Sequence, residues 1–474
     1  MKGMATLAGE GDTTADIVFG QGGSFTSAGE NLGGVSAESL SHPGGLALDA
    51  SGNLYVADRA NNRILEYDSP LTTDLIADRV FGQGGDFSTG DCNKESLSAA
   101  SLCIPNAIAL DDNGNLYVAD EGNHRVLAYA TPLSTDTVAD LVFGQDNSFT
   151  SNSLLGCSSS AVTAASLCYP MAAVADPSGN IYVAEHNHSR VVEYDSPWTT
   201  DRVADRVYGQ GGDFTKSGCN SARLGAATLC YPRQLGMDGA GSLYVGDTSN
   251  HRVLKFDSPL QDNMADYVFG QSGSFTTRTC GLPGTGVLTA DTLCDPWQPF
   301  VDASGRLLVA DIAASRILEY DEPTSDWTAD QVYGQGGDFR ANTCNMGGVS
   351  ADTLCWAEGV AVDQSGNVYV ADSYNNRVLV YGDPHATIDT DSDGFGDGVE
   401  VIIGTTPLSA CGVDAWPPDM DGDGFVDTYD ITQLTGRFSL AVPPESPRYD
   451  IYPSGFIDTG DIAEMTARFG LSCG

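Results

Sequence analysis

The phrase "ADIVFGQGG" at residues 15–23 returns as "ADRVFGQGG" at 77, "ADLVFGQDN" at 139, "ADRVYGQGG" at 204, "ADYVFGQSG" at 265 and "ADQVYGQGG" at 329. A unit repeated at near-constant spacing constrains a fold strongly, because each copy must bury its apolar face on the next. One longer unit, residues 42–83, reads "HPGGLALDASGNLYVADRANNRILEYDSPLTTDLIADRVFGQ". Its "YVAD" segment and variants end at Asp58, Asp120, Glu185, Asp247, Asp311 and Asp372, a period of 61 to 65 residues. The unit divides into four short strands. "GLALD" is small and apolar, "NLYVAD" and "RILEYD" alternate with period 2 as half-buried strands do, and "DRVFGQ" is the fourth. "DASGN" carries Asp and Gly where a tight hairpin requires them.

Six four-stranded units predict an all-β, six-bladed β-propeller over residues 15–384, preceded by a tail at 1–14. The last unit supplies three strands ending at "RVLVYGD", residues 377–383, and the phrase does not return after it. The solitary strand near the start is therefore expected to complete the last blade, closing the ring and leaving no unpaired edge.

The cysteines recur with the unit as the pairs Cys92 and Cys103, Cys157 and Cys168, Cys219 and Cys230, Cys280 and Cys294, and Cys344 and Cys355. The first unit lacks both members, with Ser41 at the second position. Presence or absence together is what a disulfide requires, and no histidine recurs beside these cysteines to make zinc sites. Five such loops predict an oxidising, extracellular or periplasmic setting. Met1 to Thr14 shows no apolar signal-peptide core, so a trimmed or incomplete chain is expected. Carboxylates number 64 against 22 Lys plus Arg, a net charge of −42. That charge argues against nucleic-acid binding and favours cations and basic partners. No run of about 20 apolar residues offers a membrane span.

The pattern P-x-G-[LIV]-A-[LV]-D-x-x-G-N-[LIV]-Y-V-A-D-x-x-N-[NH]-R-[IV] resembles the NHL repeat, over about four-fifths of the chain. The resemblance implies a six-bladed propeller with ligand recognition on one face, and no single activity. The long insertion before each "GLALD" strand, with its cysteine pair, departs from that pattern.

Residues present in every blade are read as structural, because a catalytic site should break the symmetry. Gln21, Gln83, Gln145, Gln210, Gln271 and Gln335 recur, as do Arg63, Arg125, Arg190, Arg252, Arg316 and Arg377. Each Arg is expected to pair with the neighbouring "YVAD" carboxylate. His124 and His251 occupy a turn position held elsewhere by Asn62 and Asn376, which gives them a structural reading too. No catalytic residue is assigned. The place to look is "AEHNHSR", where Glu185, His186 and His188 share a loop and could bind zinc or act as acid and base. The stapled insertions should crown one face. A rigid Ser/Thr/Asn/Gly-rich crown suits recognition of a glycan or protein, the alternative being simple protection of long loops.

The last 90 residues change character. "DTDSDGFGDGVE" (389–400) has calcium-loop spacing, with Asp389, Asp391, Asp393, the Phe395 carbonyl, Asp397 and Glu400 as ligands. "DMDGDGFVDTYD" (419–430) repeats it with Asp419, Asp421, Asp423, Phe425, Asp427 and Asp430. "DIYPSGFIDTGD" (450–461) is a worn copy keeping Asp450, Ser454, Phe456, Asp458 and Asp461. Residues 385–410 resemble a thrombospondin type 3 repeat, and 411–474 resemble a dockerin domain of the first type, with Cys411 and Cys473 placed to clasp its ends. The dockerin resemblance implies a cohesin-like module or cell-surface scaffold as partner. It implies partner choice through Thr428, Tyr429, Thr459 and Gly460.

The expected function is thus a secreted, Ca2+-binding module: a stapled propeller that recognises or scaffolds, attached by a calcium-ordered tail. The alternatives are an anchored propeller lyase or hydrolase acting on polysaccharide or peptide, and a purely structural surface protein.

Overall fold

The structure, a computed structural model, describes residues 13–382 apart from 72, 159–161, 222, 283, 322 and 324–326. The three expected calcium loops with their expected ligands, the four residues expected to dock and the expected Cys411–Cys473 pair lie outside the described residues. Strand β1 (Ile17–Phe19) comes first. The first blade follows as β2 (Pro43–Leu48), β3 (Leu54–Asp58), β4 (Arg63–Tyr67) and β5 (Arg79–Phe81), paired antiparallel in that order. Six such four-stranded sheets form the described fold. Strands equivalent to β2 meet around the axis, which makes them the inner wall.

The ring closes as expected. Strand β1 pairs with Arg377–Tyr381 through Ile17↔Val380, Val18↔Leu379 and Phe19↔Val378, giving the last blade its fourth strand. The Asp16 carboxylate accepts the Gly382 N–H at 2.8 Å just beyond. One expectation about the strands needs correction. The alternation in "NLYVAD" suggests a half-buried strand, yet every residue from Leu54 to Asp58 is buried. Neighbouring blades cover both faces of each sheet, so no face is left for solvent.

The repeated phrase has a mechanical role. Its aromatic residue meets the tyrosine or phenylalanine of the next blade edge-on in six pairs, with ring centroids 5.1–5.5 Å apart. The pair Phe19–Tyr67 joins the first and last blades. Its glycine has φ near +90° and lies so close to the following leucine that a Cβ at Gly82 would stand 2.8 Å from Leu102 Cδ1. Its glutamine pins the inserted loop: Gln83 Nε2 donates to the Asn62 carbonyl at 2.8 Å and to the Asp91 carbonyl at 2.9 Å.

The recurrent arginines are fully buried and fully used. Arg125 donates from Nε to Asp120 Oδ2 at 2.7 Å, from Nη1 to the Phe149 carbonyl at 2.6 Å, and from Nη2 to the Ser101 and Ser98 carbonyls at 2.8 and 2.9 Å. The same Arg–carboxylate contact recurs in the other five blades. A guanidinium suits this place because its planar fork serves a carboxylate and three carbonyls at once.

Five disulfides form, joining the five cysteine pairs read from the sequence. They point to an oxidising compartment. The expectation of a surface crown needs correction at their inner ends. Cys103, Cys168, Cys230, Cys294 and Cys355 are buried, so half of each staple belongs to the core and not to a binding surface. The reason is the brace beneath them. Cys230 donates its N–H to Asp247 Oδ1 at 2.7 Å, Cys294 to Asp311 Oδ1 at 2.6 Å and Cys355 to Asp372 Oδ1 at 2.7 Å, and Cys103 does the same to Asp120 at 2.7 Å. The staple therefore ties an outer loop to the buried carboxylate that the arginine also holds. No described helix is long and apolar enough to cross a membrane.

Glu66 departs from this pattern of paired charges. It is buried between blades, and neither carboxylate oxygen has a hydrogen-bond partner; Arg79 Nη1 stands 4.0 Å away. Burial, reinforced by Asp68, pushes its carboxyl up to about 8. A folded-state value above the unfolded one means stability that is complete below about pH 4.5 and is lost as pH rises through about 8. Glu66→Gln should therefore stabilise the propeller by about 1–3 kcal/mol at pH 9 and change little at pH 5, measured by denaturant titration at both values.

Candidate functional site

Each inner strand begins beside a tight turn of its own blade, 3-10 in all but blade three, and in the stapled blades the disulfide loop packs against that turn. Gly122 N donates to the Cys103 carbonyl at 2.9 Å. Ser249, Ala313 and Tyr374 donate likewise to the carbonyls of Cys230, Cys294 and Cys355 at 3.2–3.3 Å. The stapled loops, these turns and the starts of the inner strands thus share one face, as the sequence suggests.

A belt of hydrogen bonds links the blades there. The residue after the inner disulfide cysteine, or after Ser41 in blade one, has positive φ, between 49° and 56°, at His42, Ile104, Tyr169, Tyr231, Asp295 and Trp356. Each donates its N–H to a turn residue of the preceding blade: Asn376, Asn62, His124, Ser189, His251 and Ser315, at 2.8–3.3 Å. His124 and His251 are acceptors in this belt, in keeping with their structural reading. A bulky or β-branched residue in the left-handed region is strained, and such strain collects at functional sites. Here it stands the six side chains around the axial mouth.

Directly after this residue, five of the inner strands carry a register shift, at Pro43/Leu46, Pro105/Ile108, Pro170/Ala172, Pro296/Pro299 and Ala357/Gly359. A bulge of this kind re-aims the side chain it carries. Two residues after the positive-φ residue, at the bulge in five blades and just before the inner strand in blade four, stand Gly44, Asn106, Met171, Arg233, Trp297 and Glu358. The first turn residues are Arg59, Glu121, His186, Thr248, Ile312 and Ser373. Neither ring repeats a residue, whereas the braces beneath them repeat throughout.

Met171 and Trp297 come from blades three and five yet lie in one buried cluster, so side chains plug the axis beneath the mouth. Arg59 Nη1 donates to Glu358 Oε2 at 2.8 Å, and Asn106 Nδ2 to Glu121 Oε2 at 3.0 Å. Burial pushes the Glu358 carboxyl up, and Arg59 pulls it back. Arg233 stacks over the Trp297 ring at 3.9 Å. Burial pushes its guanidinium down, while Glu121 and Glu358 favour its charge. Four buried mouth atoms have no hydrogen-bond partner: Trp297 Nε1, Asn106 Oδ1, His186 Nδ1 and Ser373 Oγ. Around them Tyr231, Trp356 and Tyr374 are 41–49 % exposed. Trp356 pairs with Tyr374 at 4.5 Å and His186 with Tyr231 at 4.9 Å.

The three residues of "AEHNHSR" part company. Glu185 is the blade-three version of the brace carboxylate, held by Arg190 Nε, and His188 Nδ1 lies 2.5 Å from its other oxygen. In four of the other blades an asparagine such as Asn123 fills the His188 position, donating to Asp120 Oδ2 at 2.8 Å, and blade five has Ala314 there. Glu185 and His188 are buried inside the blade, so a shared acid–base or zinc site for the trio gives way to a structural brace. The extra methylene of Glu accompanies the exchange of Asn for His. Only His186 reaches the mouth, where burial, with Arg233 nearby, pushes its imidazole down to about 4. One set of metal-type ligand atoms gathers among the described residues, from His124, Cys157 and Cys168, and both sulfurs belong to a disulfide.

The family description "NHL repeat" matches residues 40–67, 102–129, 229–256 and 354–381, which are blades one, two, four and six. These units are NHL repeats. Blades three and five complete the same ring with altered turns, Glu185 and His188 in one and Ile312–Ala314 in the other. No curated protein matches the chain. Among solved structures it is similar to a structural genomics protein of unknown function from Bacteroides thetaiotaomicron, with 14% identity, TM-score 0.47, and coverage of 77% of this chain and 75% of that one. It is also similar to virginiamycin B lyase from Staphylococcus aureus (11% identity, TM-score 0.36, coverage 77% and 98%). A third is a gluconolactonase from Xanthomonas campestris (13% identity, TM-score 0.39, coverage 77% and 98%). Likeness at this level carries no argument about chemistry.

Proposed function

We propose that this chain is a secreted binding module whose NHL propeller recognises a glycan at the axial mouth of its stapled face. The observation that carries this reading is the contrast between repeated braces and two unrepeated rings of mouth residues. Half-exposed aromatic rings offer flat, apolar platforms, and the Arg, Glu and Asn side chains converging between them offer donors and acceptors in both senses. That mixture suits the faces and hydroxyls of a sugar better than a flat protein epitope. The four unpartnered polar atoms support it, since buried polar groups ordinarily find water or ligand. Loops held by disulfides lose little entropy on binding.

The tail is the proposed attachment. Its calcium-loop spacing and dockerin resemblance support Ca2+-dependent binding to a cohesin-like module on a scaffold or cell-surface protein. The enzyme alternative rests on His186, a neutral imidazole at the mouth.

The test is a glycan array probed with the intact chain, with turnover of any bound glycan followed in the same samples, and cohesin capture with and without calcium. The proposal expects saturable glycan binding without turnover, and capture only with calcium. Turnover lost in His186→Ala would favour the enzyme. Absence of binding across neutral and acidic glycans would contradict recognition at the mouth, and calcium-independent capture would contradict the attachment.

A further inference from the structure

The opposite end of the axis holds a cavity of about 350 Å³. It lies within the size range of small-molecule sites. Between its ends the wall carries mostly apolar side chains, among them Leu48, Leu110, Val174, Met237 and Phe300 from the outgoing halves of the inner strands, with Gln298 as a further polar one. At its inner end stands Gln234, 1% exposed, whose Nε2 is buried with no hydrogen-bond partner. At its open end stand Asp111, Asp112, Asp176 and Asp238.

The acidity of this rim follows from the hairpin chemistry. Each turn between first and second strands needs an aspartate to accept the N–H groups two and four residues on, as Asp111 Oδ1 does from Asn113 and Asn115 at 2.9 Å. The six-fold fold therefore sets a ring of carboxylates, Asp49, Asp111, Asp176, Asp238, Asp302 and Asp363, around one mouth. Low-dielectric walls focus that field along the channel.

We infer that this channel binds a small amphipathic cation. The ammonium sits at the aspartate rim, the apolar body lies along the wall, and an acceptor at the far end takes the Gln234 Nε2–H. Strand rise fixes the length: four residues separate Gln234 from Asp238, about 13 Å at 3.3 Å per residue. This site is separate from the glycan mouth, and the inference does not rest on that reading.

Calorimetric titration of the full chain at low salt tests it, with octylammonium and aminooctanamide as probes and octanol, octanoate and methylammonium as controls. The expected result is one saturable site for octylammonium, at least tenfold tighter than for octanol. Aminooctanamide should bind tighter still, and half-molar salt should weaken both. Val174→Phe, which fills the channel, should abolish binding. Asp112→Lys, at an exposed rim position, should weaken it about tenfold and serves if the filled variant folds poorly. Equal binding of octanoate, competition by methylammonium alone, binding unmoved by either substitution, or no binding would overturn the inference.

Discussion

A chain beginning at residue 22 should fail to form a stable monomeric propeller. Removing β1 takes away the fourth strand of the last blade, the Phe19–Tyr67 contact between the first and last blades, and the Gln21 anchor to the Asn376 carbonyl. It also uncovers Arg377–Tyr381, a buried strand whose free edge would pair with any strand it met. Phe19→Ala alone should cost about 3–5 kcal/mol, the usual loss on emptying a buried aromatic site. The equivalent change elsewhere should cost as much in stability without opening the ring. Denaturant unfolding and light scattering separate the two. The truncated chain should aggregate, and a peptide of residues 13–23 added in trans should restore its solubility. Wild-type stability in the truncated chain would contradict this account of closure.

The second large effect concerns the arginine braces. Arg125→Met should destabilise the propeller by about 3–5 kcal/mol, because it leaves Asp120 charged, buried and without its cation. The loss includes three carbonyls, of Phe149, Ser98 and Ser101, that the guanidinium satisfies. Arg125→Lys should recover little of it, since one ammonium cannot reach four acceptors spread around a planar fork. Replacing Asp120 and Arg125 together by apolar residues should recover part, though the carbonyls stay unserved. Denaturant midpoints for the three variants test this ordering. Near-wild-type stability in Arg125→Lys would show that charge alone suffices.

How much of this was legible in the sequence depends on whether a feature repeats. Six copies of one phrase sufficed for the strand count, the closing role of residues 15–21 and the structural reading of Arg63 and its equivalents. Cysteines present or absent as pairs sufficed for the disulfides. Their depth was not legible, because the contact that buries Cys230, Cys294 and Cys355 runs from a backbone N–H to a carboxylate 17 residues on. What else stayed hidden was what the repeat does not contain. The bulge that carries Asn106, Met171, Trp297 and Glu358 depends on how two strands register, and no composition signal marks it. The two rings of unlike residues could have been found by aligning the six units and asking which columns never agree. Glu185 and His188 misled for the opposite reason: they broke a pattern, but as a coupled exchange within a brace. His186, between them, faces the other way.

The central claim is that the aromatic and polar side chains gathered at the stapled mouth bind while the repeated residues beneath them hold the ring. Its most direct test is a titration of an array-selected glycan into wild type, Tyr231→Ala, Trp356→Ala and the double variant, with the melting temperature of each. The account predicts unchanged melting and binding weakened about tenfold or more per ring, since losing a well-packed aromatic contact at a binding site costs upwards of about 1–2 kcal/mol. Glycan affinity equal to wild type in the double variant, with the fold intact, would contradict it.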